Sequence, residues 1–332
     1  MKKIRIGQLG IGHNHGTARM NSLRMLPEYF EVVGVAEDSP EWREKRGGNA
    51  AYQGLPMMST EELLAVPGLE AVMIETDGGE LLPTALCCAE RGLHLLMDKP
   101  GGEDLPGFRR LCDLAQNRNL VLQLGYVYRS NPAVNFCVDA VKKGWLGEVF
   151  EIHAVMSRWD KDEYRRWLAQ FRGGAMYIFA GYLIDIVLRM LGAPERVTPF
   201  LKRTRDDGLI DNGLAVLEYP RASATIRVSV AEVEGYEHRR LIVCGTNGTV
   251  ELCPIESRFD AVPLAVRFTL KEPQEHYAAG TRLVNCGPRG DRYTAQMIEF
   301  ARAVRGEIAN PFSVEHEYLL QKTLLQASGF PS

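Results

Sequence analysis

The chain lacks a strong charge of either sign, a long apolar run, and any cysteine pair at metal-ligand spacing. Each absence closes off a class of protein. Thirty-nine Lys and Arg against 42 Asp and Glu leave a formal net charge of −3 over 332 residues. So close a balance gives no electrostatic footprint for nucleic acid, and no basic run is interleaved with aromatics. The seven cysteines (Cys87, Cys88, Cys112, Cys137, Cys244, Cys253, Cys286) are odd in number and never spaced Cys-x-x-Cys. That argues against a zinc ribbon or a secreted disulfide framework and fits a reducing compartment. The longest uncharged run, residues 173–184, is too short to span a bilayer. The N-terminal lysines precede an apolar stretch broken by Gly7, Gly10 and Gly12, unlike a signal peptide. The expectation is a cytoplasmic protein with neither nucleic acid nor membrane as a partner.

What is present is alternation. IRIGQLG, EVVGVAE, LEAVMIET, GLHLLMD and LVLQLGY read as strands buried on both faces, with helical patterns such as 17–26, 79–91 and 103–117 between them. That regularity implies an α/β fold with a parallel sheet and right-handed crossovers. The pattern changes near Gly125. A helix over 133–143, a strand over 147–158 and a long apolar helix over 173–191 lead into strand after strand: LAVLEYP, SATIRVSVAEV, RRLIVCGT, GTVELCP and LAVRFTL. Such a succession makes an open, mostly antiparallel sheet with one face to cover. Two amphipathic helices, 293–305 and 314–326, close the chain.

Directly after the first strand stands GIGHNHG, Gly10 to Gly16. A Gly-x-Gly turn between a strand and a helix suits a dinucleotide. The first glycine permits the turn, and the second lets the backbone approach a pyrophosphate met by the helix N-terminus. The third glycine of the pattern falls one place late, at Gly16, with His15 in its position. The second strand ends in Glu37-Asp38, where an acid accepts hydrogen bonds from an adenosine ribose and repels a 2′-phosphate. NAD is therefore expected over NADP, although Arg43, Lys45 and Arg46 follow closely.

His13 and His15 also raise a metal site, as the first ligands at a strand end. The remaining histidines (94, 153, 238, 276, 316) do not recur at later strand ends, so no ligand set is assembled and no metal is expected. The pair is expected to line the pyrophosphate turn. The fourth strand runs on through Asp98-Lys99-Pro100. Proline pushes Lys99 into an extended conformation off the strand end, on the edge where open parallel sheets bind ligands. An ammonium held there can donate to a nicotinamide ribose hydroxyl and to a substrate oxygen.

With these residues in view, the chain resembles the glucose-fructose oxidoreductase / inositol dehydrogenase / rhizopine-catabolism (Gfo/Idh/MocA) family over nearly its whole length. The resemblance rests on the glycine turn and on MDKP, which matches the family's Glu-Lys-Pro with Asp98 for glutamate. It continues through GYVYRSNPAV, GWLGEV, GGAMYIFAGYLID and CGTNGTVEL. It implies an N-terminal Rossmann domain, a doubly wound parallel sheet over residues 1–124. An α/β domain over 125–332 would follow, its open sheet commonly serving as an oligomer interface, so a homodimer or homotetramer is expected. The implied chemistry is reversible hydride transfer between NAD(P) and a secondary alcohol of a sugar, inositol or related polyol. The expected cofactor-binding set is Gly10, Ile11, Gly12, His13, Asn14, His15, Glu37, Thr76, Asp98 and Lys99.

On the long apolar helix, Ile178, Tyr182, Asp185 and Arg189 form one stripe. The family usually has aspartate, histidine and aspartate at the first three of these positions. Here the first acid is lost and a phenol replaces the histidine, as in the glucose-fructose oxidoreductase branch. Tyr182 is the expected proton acceptor, with Lys99 favouring its phenolate and Asp185 orienting a second hydroxyl. An Asp185–Arg189 pair at i, i+4 within an ordinary buried helix is the plain alternative. Tyr126, Arg129 and Trp167 are the further candidates for substrate contact. Two other functions stay open at this point: glycoside cleavage through transient oxidation with retained NAD, and a catalytically inactive nucleotide-sensing protein.

Overall fold

The computed structural model describes residues 2–256, 263–288 and 290–331. The chain forms two compact units: Met1–Tyr126 with Tyr293–Gln321, and Val127–Arg292 with Lys322–Ser332. A sequence boundary at 125 carries residues 293–321 with the second domain, whereas their contacts lie in the first.

In the first unit, β1 (Ile4–Leu9), β2 (Phe30–Ala36), β3 (Met57–Met58), β4 (Ala71–Ile74), β5 (His94–Met97) and β6 (Leu122–Leu124) form one sheet in the order β3-β2-β1-β4-β5-β6. Every pairing is parallel. The runs are continuous because both faces are covered: β4 and β6 are buried at every residue. The crossovers carry α1 (Gly16–Arg24), α2 (Pro40–Arg46), α3 (Thr60–Leu64), α4 (Leu81–Glu90) and α5 (Leu105–Asn117). Ser59 and Glu62 close a capping box on α3, and Asp104 caps α5. The sequence pattern finds five of these strands. The two-residue β3 is too short to show a period.

The second unit opens with α6 (Pro132–Lys142), β7 (Val149–Ser157), α7 (Asp162–Leu168) and α8 (Gly174–Leu191). Seven strands follow: β8 (Arg196–Lys202), β9 (Asn212–Glu218), β10 (Ser223–Ser229), β11 (Arg240–Gly245), β12 (Gly248–Leu252), β13 (Ala265–Leu270) and β14 (Gly280–Asn285). With β7 they make a sheet ordered β14-β13-β12-β11-β7-β10-β9-β8. It is antiparallel except where β10 runs parallel to β7. Burial alternates strictly along β9, as expected of a sheet covered on one face. The edge strands β8 and β14 lack an apolar alternation, and β8 carries Pro199, which suits an edge.

Helix α8 packs on β7, β9 and β10. It is long and apolar enough by composition to cross a membrane, yet 83% of it is buried inside the protein, so it is a core helix. The last helices are α9 (Thr294–Val304), which packs on α1, and α10 (Val314–Ala327).

Beside α6 the second unit holds an aromatic cluster. Phe268, fully buried, lies 5.5 Å from Phe136, 6.1 Å from Trp145 and 5.1 Å from Tyr277 between ring centroids. Phe268→Ala leaves a cavity that its rigid neighbours cannot fill, and should cost about 3–5 kcal/mol. Denaturant titration read by tryptophan fluorescence should show a lowered midpoint. An unchanged midpoint would mean the cluster is not part of the cooperative core.

Candidate active site

The C-terminal edge of the parallel sheet gathers the cofactor candidates in the first unit. The turn after β1 is anchored on both sides: Gly10 N–H donates to Ala36 O at 2.7 Å and His13 N–H to Glu75 O at 2.9 Å. Gly10 has φ +82°, and a Cβ there would lie 2.5 Å from the backbone N and Cα of Thr76. Only glycine fits that close approach. Beside it, Thr76 Oγ1 is buried without a hydrogen-bond partner among the described residues. A glycine cradle with a waiting hydroxyl fits a dinucleotide.

Glu37, at the end of β2, is 8% exposed. Its carboxylate accepts the Ile11 N–H and the Ser39 N–H, both at 2.9 Å, so it holds the turn itself. Arg46 donates to the carbonyls of Ile11, Gly12 and His13 at 3.1, 2.9 and 2.7 Å, and to Asn14 Oδ1 at 2.9 Å. Arg43 binds the Glu37 carbonyl and donates to Met58 O at 2.7 Å. Of the basic residues after β2, Arg46 therefore clasps the glycine turn.

Glu75 and Asp98 follow β4 and β5, and both are fully buried. His13 Nδ1 and His15 Nδ1 lie 3.0 and 2.9 Å from the same Asp98 oxygen, Oδ2. Arg19, on α1, places its guanidinium 2.7 Å from Glu75 Oε1 and 3.5 Å from Asp98 Oδ2. Burial and the neighbouring Asp98 charge push the Glu75 carboxyl well above its ordinary range, against the pull of Arg19. Burial alone would raise Asp98 too, but the adjoining His13 and His15 outweigh it and hold it well below. Burial drives His15 down to about 4 despite Asp98. Two carboxylates with opposed tendencies on one sheet edge are a common mark of a functional site. Lys99 comes next in the chain, 3% exposed, its N–H donating to Asp98 Oδ1 at 2.6 Å.

The second unit holds the other candidates, except Tyr126, which is buried in the first. Tyr182 is 6% exposed on α8, its ring 5.4 Å from that of Tyr128. Tyr128 donates to Glu256 Oε1 at 2.8 Å, and Glu256 also pairs with Arg239 and, at 2.8 Å, with Arg292. Burial and Glu256 raise the Tyr128 phenol, so it stays protonated. Asp185, fully buried, accepts Arg129 Nε at 3.0 Å and Nη2 at 2.8 Å on one oxygen. Arg189 donates to Asn135 Oδ1 at 2.7 Å. Trp167 is half-buried and stacks on Tyr164, with Phe171 against its edge.

Sequence reasoning passed over Glu75, Arg19 and Glu256. Glu75 carried a signal: Glu37, Glu75 and Asp98 all stand at the ends of runs read as strands. Arg19 and Glu256 carried none, because their partners are distant in sequence.

The model of an oxidoreductase family with an NAD-binding Rossmann fold matches residues 4–126, and that of the GFO/IDH/MocA C-terminal domain matches residues 137–251. The D-xylose 1-dehydrogenase (NADP(+)) 2 of Haloferax volcanii is 28% identical, the alignment covering 87% of each chain. The uncharacterized oxidoreductase ORF334 of Rhizobium meliloti is 27% identical over 92% of this chain and 91% of its own. Among solved structures, KijD10, a 3-ketoreductase from Actinomadura kijaniata in complex with TDP-benzene and NADP, superposes with a TM-score of 0.77 at 20% identity. That match covers 98% of this chain and 96% of that one.

The Arg129–Asp185 pair makes a prediction of its own. Arg129→Leu strands a buried carboxylate and should cost about 3–5 kcal/mol, whereas Arg129→Leu with Asp185→Leu should recover most of the loss. Denaturant midpoints of the wild type, both single variants and the double variant measure the coupling. A double variant no more stable than Arg129→Leu would contradict it.

Proposed function

Because this chain belongs to the Gfo/Idh/MocA family of oxidoreductases and carries an NAD(P)-binding Rossmann domain, we propose that it is an NAD-dependent dehydrogenase acting on a secondary alcohol of a sugar, inositol or related polyol. The observation that carries this reading is the sheet edge where the Gly10 cradle and the buried Lys99 occur together. When bound, the nicotinamide supplies the acceptor or donor of hydride. Gly10, Ile11 and Gly12 let the backbone meet the pyrophosphate, and Lys99 donates to a ribose hydroxyl. Tyr182 takes the hydroxyl proton of the alcohol. The Arg129–Asp185 pair orients the helix that carries Tyr182. A sugar-related substrate is supported by the xylose dehydrogenase among the relatives. The open sheet of the second unit is our proposed surface for self-association into a dimer or tetramer.

The preference for NAD rests on Glu37 at the end of β2, whose charge opposes a 2′-phosphate. NADP is the second reading, favoured by Arg43, which binds the Glu37 carbonyl, by Arg46 on the glycine turn, and by NADP in the names of relatives. Titration with NADH and with NADPH, followed by nicotinamide fluorescence, decides between them. NADH should bind at least about tenfold tighter, a difference of about 1.4 kcal/mol. The reverse order would assign NADP.

Tyr182→Phe removes the proton acceptor. Its kcat on the best polyol of a substrate panel should fall by about 10²–10⁴, with NADH affinity unchanged within about twofold. Unchanged turnover would take the proton-accepting role from Tyr182.

A further inference from the structure

We infer that His13, His15 and Asp98 form a site for a divalent transition-metal ion of the zinc type, with Glu75 closing the ligand set. The sequence sets a metal aside because the later histidines do not stand at strand ends. The structure shows that the additional ligands are carboxylates. One ring nitrogen each of His13 and His15 and an Asp98 oxygen lie within 4.8 Å of one another. Glu75 Oε2 approaches to 3.6 Å from His13 Nδ1. It is fully buried and has no hydrogen-bond partner among the described residues. Two imidazoles with one or two carboxylates are a donor set for zinc and its neighbours in the first transition row.

The spacing suits an ion. With metal–ligand distances of about 2.1 Å, adjacent ligand atoms of a tetrahedron stand about 3.4 Å apart. Three of the separations, 2.9, 3.0 and 3.6 Å, depart from that by about 0.5 Å or less, within a cluster bounded at 4.8 Å. A divalent cation at the focus of the four side chains would be met by the Asp98 carboxylate and by Glu75 Oε2.

The test uses the full chain, stripped of metal by a chelator and titrated with Co²⁺ as a spectroscopic probe and with Zn²⁺ as a competitor. The expected result is one Co²⁺ per chain, with visible d–d absorption of a four- or five-coordinate nitrogen–oxygen site that Zn²⁺ abolishes. His15→Gln, at a half-buried position, and His13→Gln should each weaken Co²⁺ binding by at least about the 10–100-fold typical of outer-shell changes. His276→Gln, at an exposed position remote in sequence, should change nothing. The thermal midpoint of each variant reports whether the chain is still folded, and NADH fluorescence titration of the wild-type chain separates failure of the metal site from failure of the cofactor reading. Absence of a saturable one-equivalent band, or a band that survives both histidine substitutions, would overturn the site. The cluster would then be a purely hydrogen-bonded network in which the carboxylates share a proton.

Discussion

Two carboxylates, Glu75 and Asp98, are buried side by side, and the nucleotide edge of the first unit is organised around their charge. Their adjacency follows from strand register. Parallel pairing sets Ile74 opposite Met97, so the next residue on each strand emerges at the same level. Charges so placed cannot both be left unanswered in a low-dielectric interior. Arg19 reaches both from α1, and His13 and His15 crowd Asp98 from the turn after β1. That turn can lie against β4 only because Gly10 has no side chain to strike Thr76. The glycine pattern that reads as a phosphate loop thus also brings two imidazoles to a carboxylate.

The same edge explains how far the sequence could be read. Strands β1, β4 and β5 were legible as apolar runs because helices cover both faces of the sheet. Gly10 and Lys99 were legible because each follows such a run. Glu75 follows one as well, a signal it shares with Glu37 and Asp98, but an acid at a strand end ordinarily reads as solvated. What buries it is the register with β5 and the placement of α1, both tertiary facts. Edges were hard for a related reason. β3 is too short for a period, while β8 and β14 bury too little to impose one.

In the second unit, the fold supplies Asp185 with a partner that local spacing did not indicate. Asp185 and Arg189 are one helical turn apart, and such pairs form readily on a solvated face. Asp185, however, is fully buried, and its partner is Arg129, from the short 3-10 turn at Val127–Ser130. A buried carboxylate needs a guanidinium that is itself held in place and brings several N–H donors, and a fork anchored outside the helix provides both. Arg189, nearer the end of α8, is then available to Asn135.

Adjacent residues of that turn therefore meet two of the polar members of the α8 stripe: Tyr128 lies against Tyr182, and Arg129 binds Asp185. Buried ion pairs add little stability over well-packed apolar residues of the same volume, so the pair is poorly explained as a source of stability. Its geometry offers a different account. Two donors on one oxygen fix the rotation of α8 about its axis, which an all-round apolar helix would leave weakly specified. Tyr182 stands three residues from Asp185, on the same stripe, so whatever fixes Asp185 also fixes the direction of the phenol. Glu256, Arg239 and Arg292 hold Tyr128 in the same manner from the other side of its ring hydroxyl. The buried polar residues around the turn at Val127–Ser130 are thus best understood as aligning one phenol on a helix whose apolar surface could not align itself.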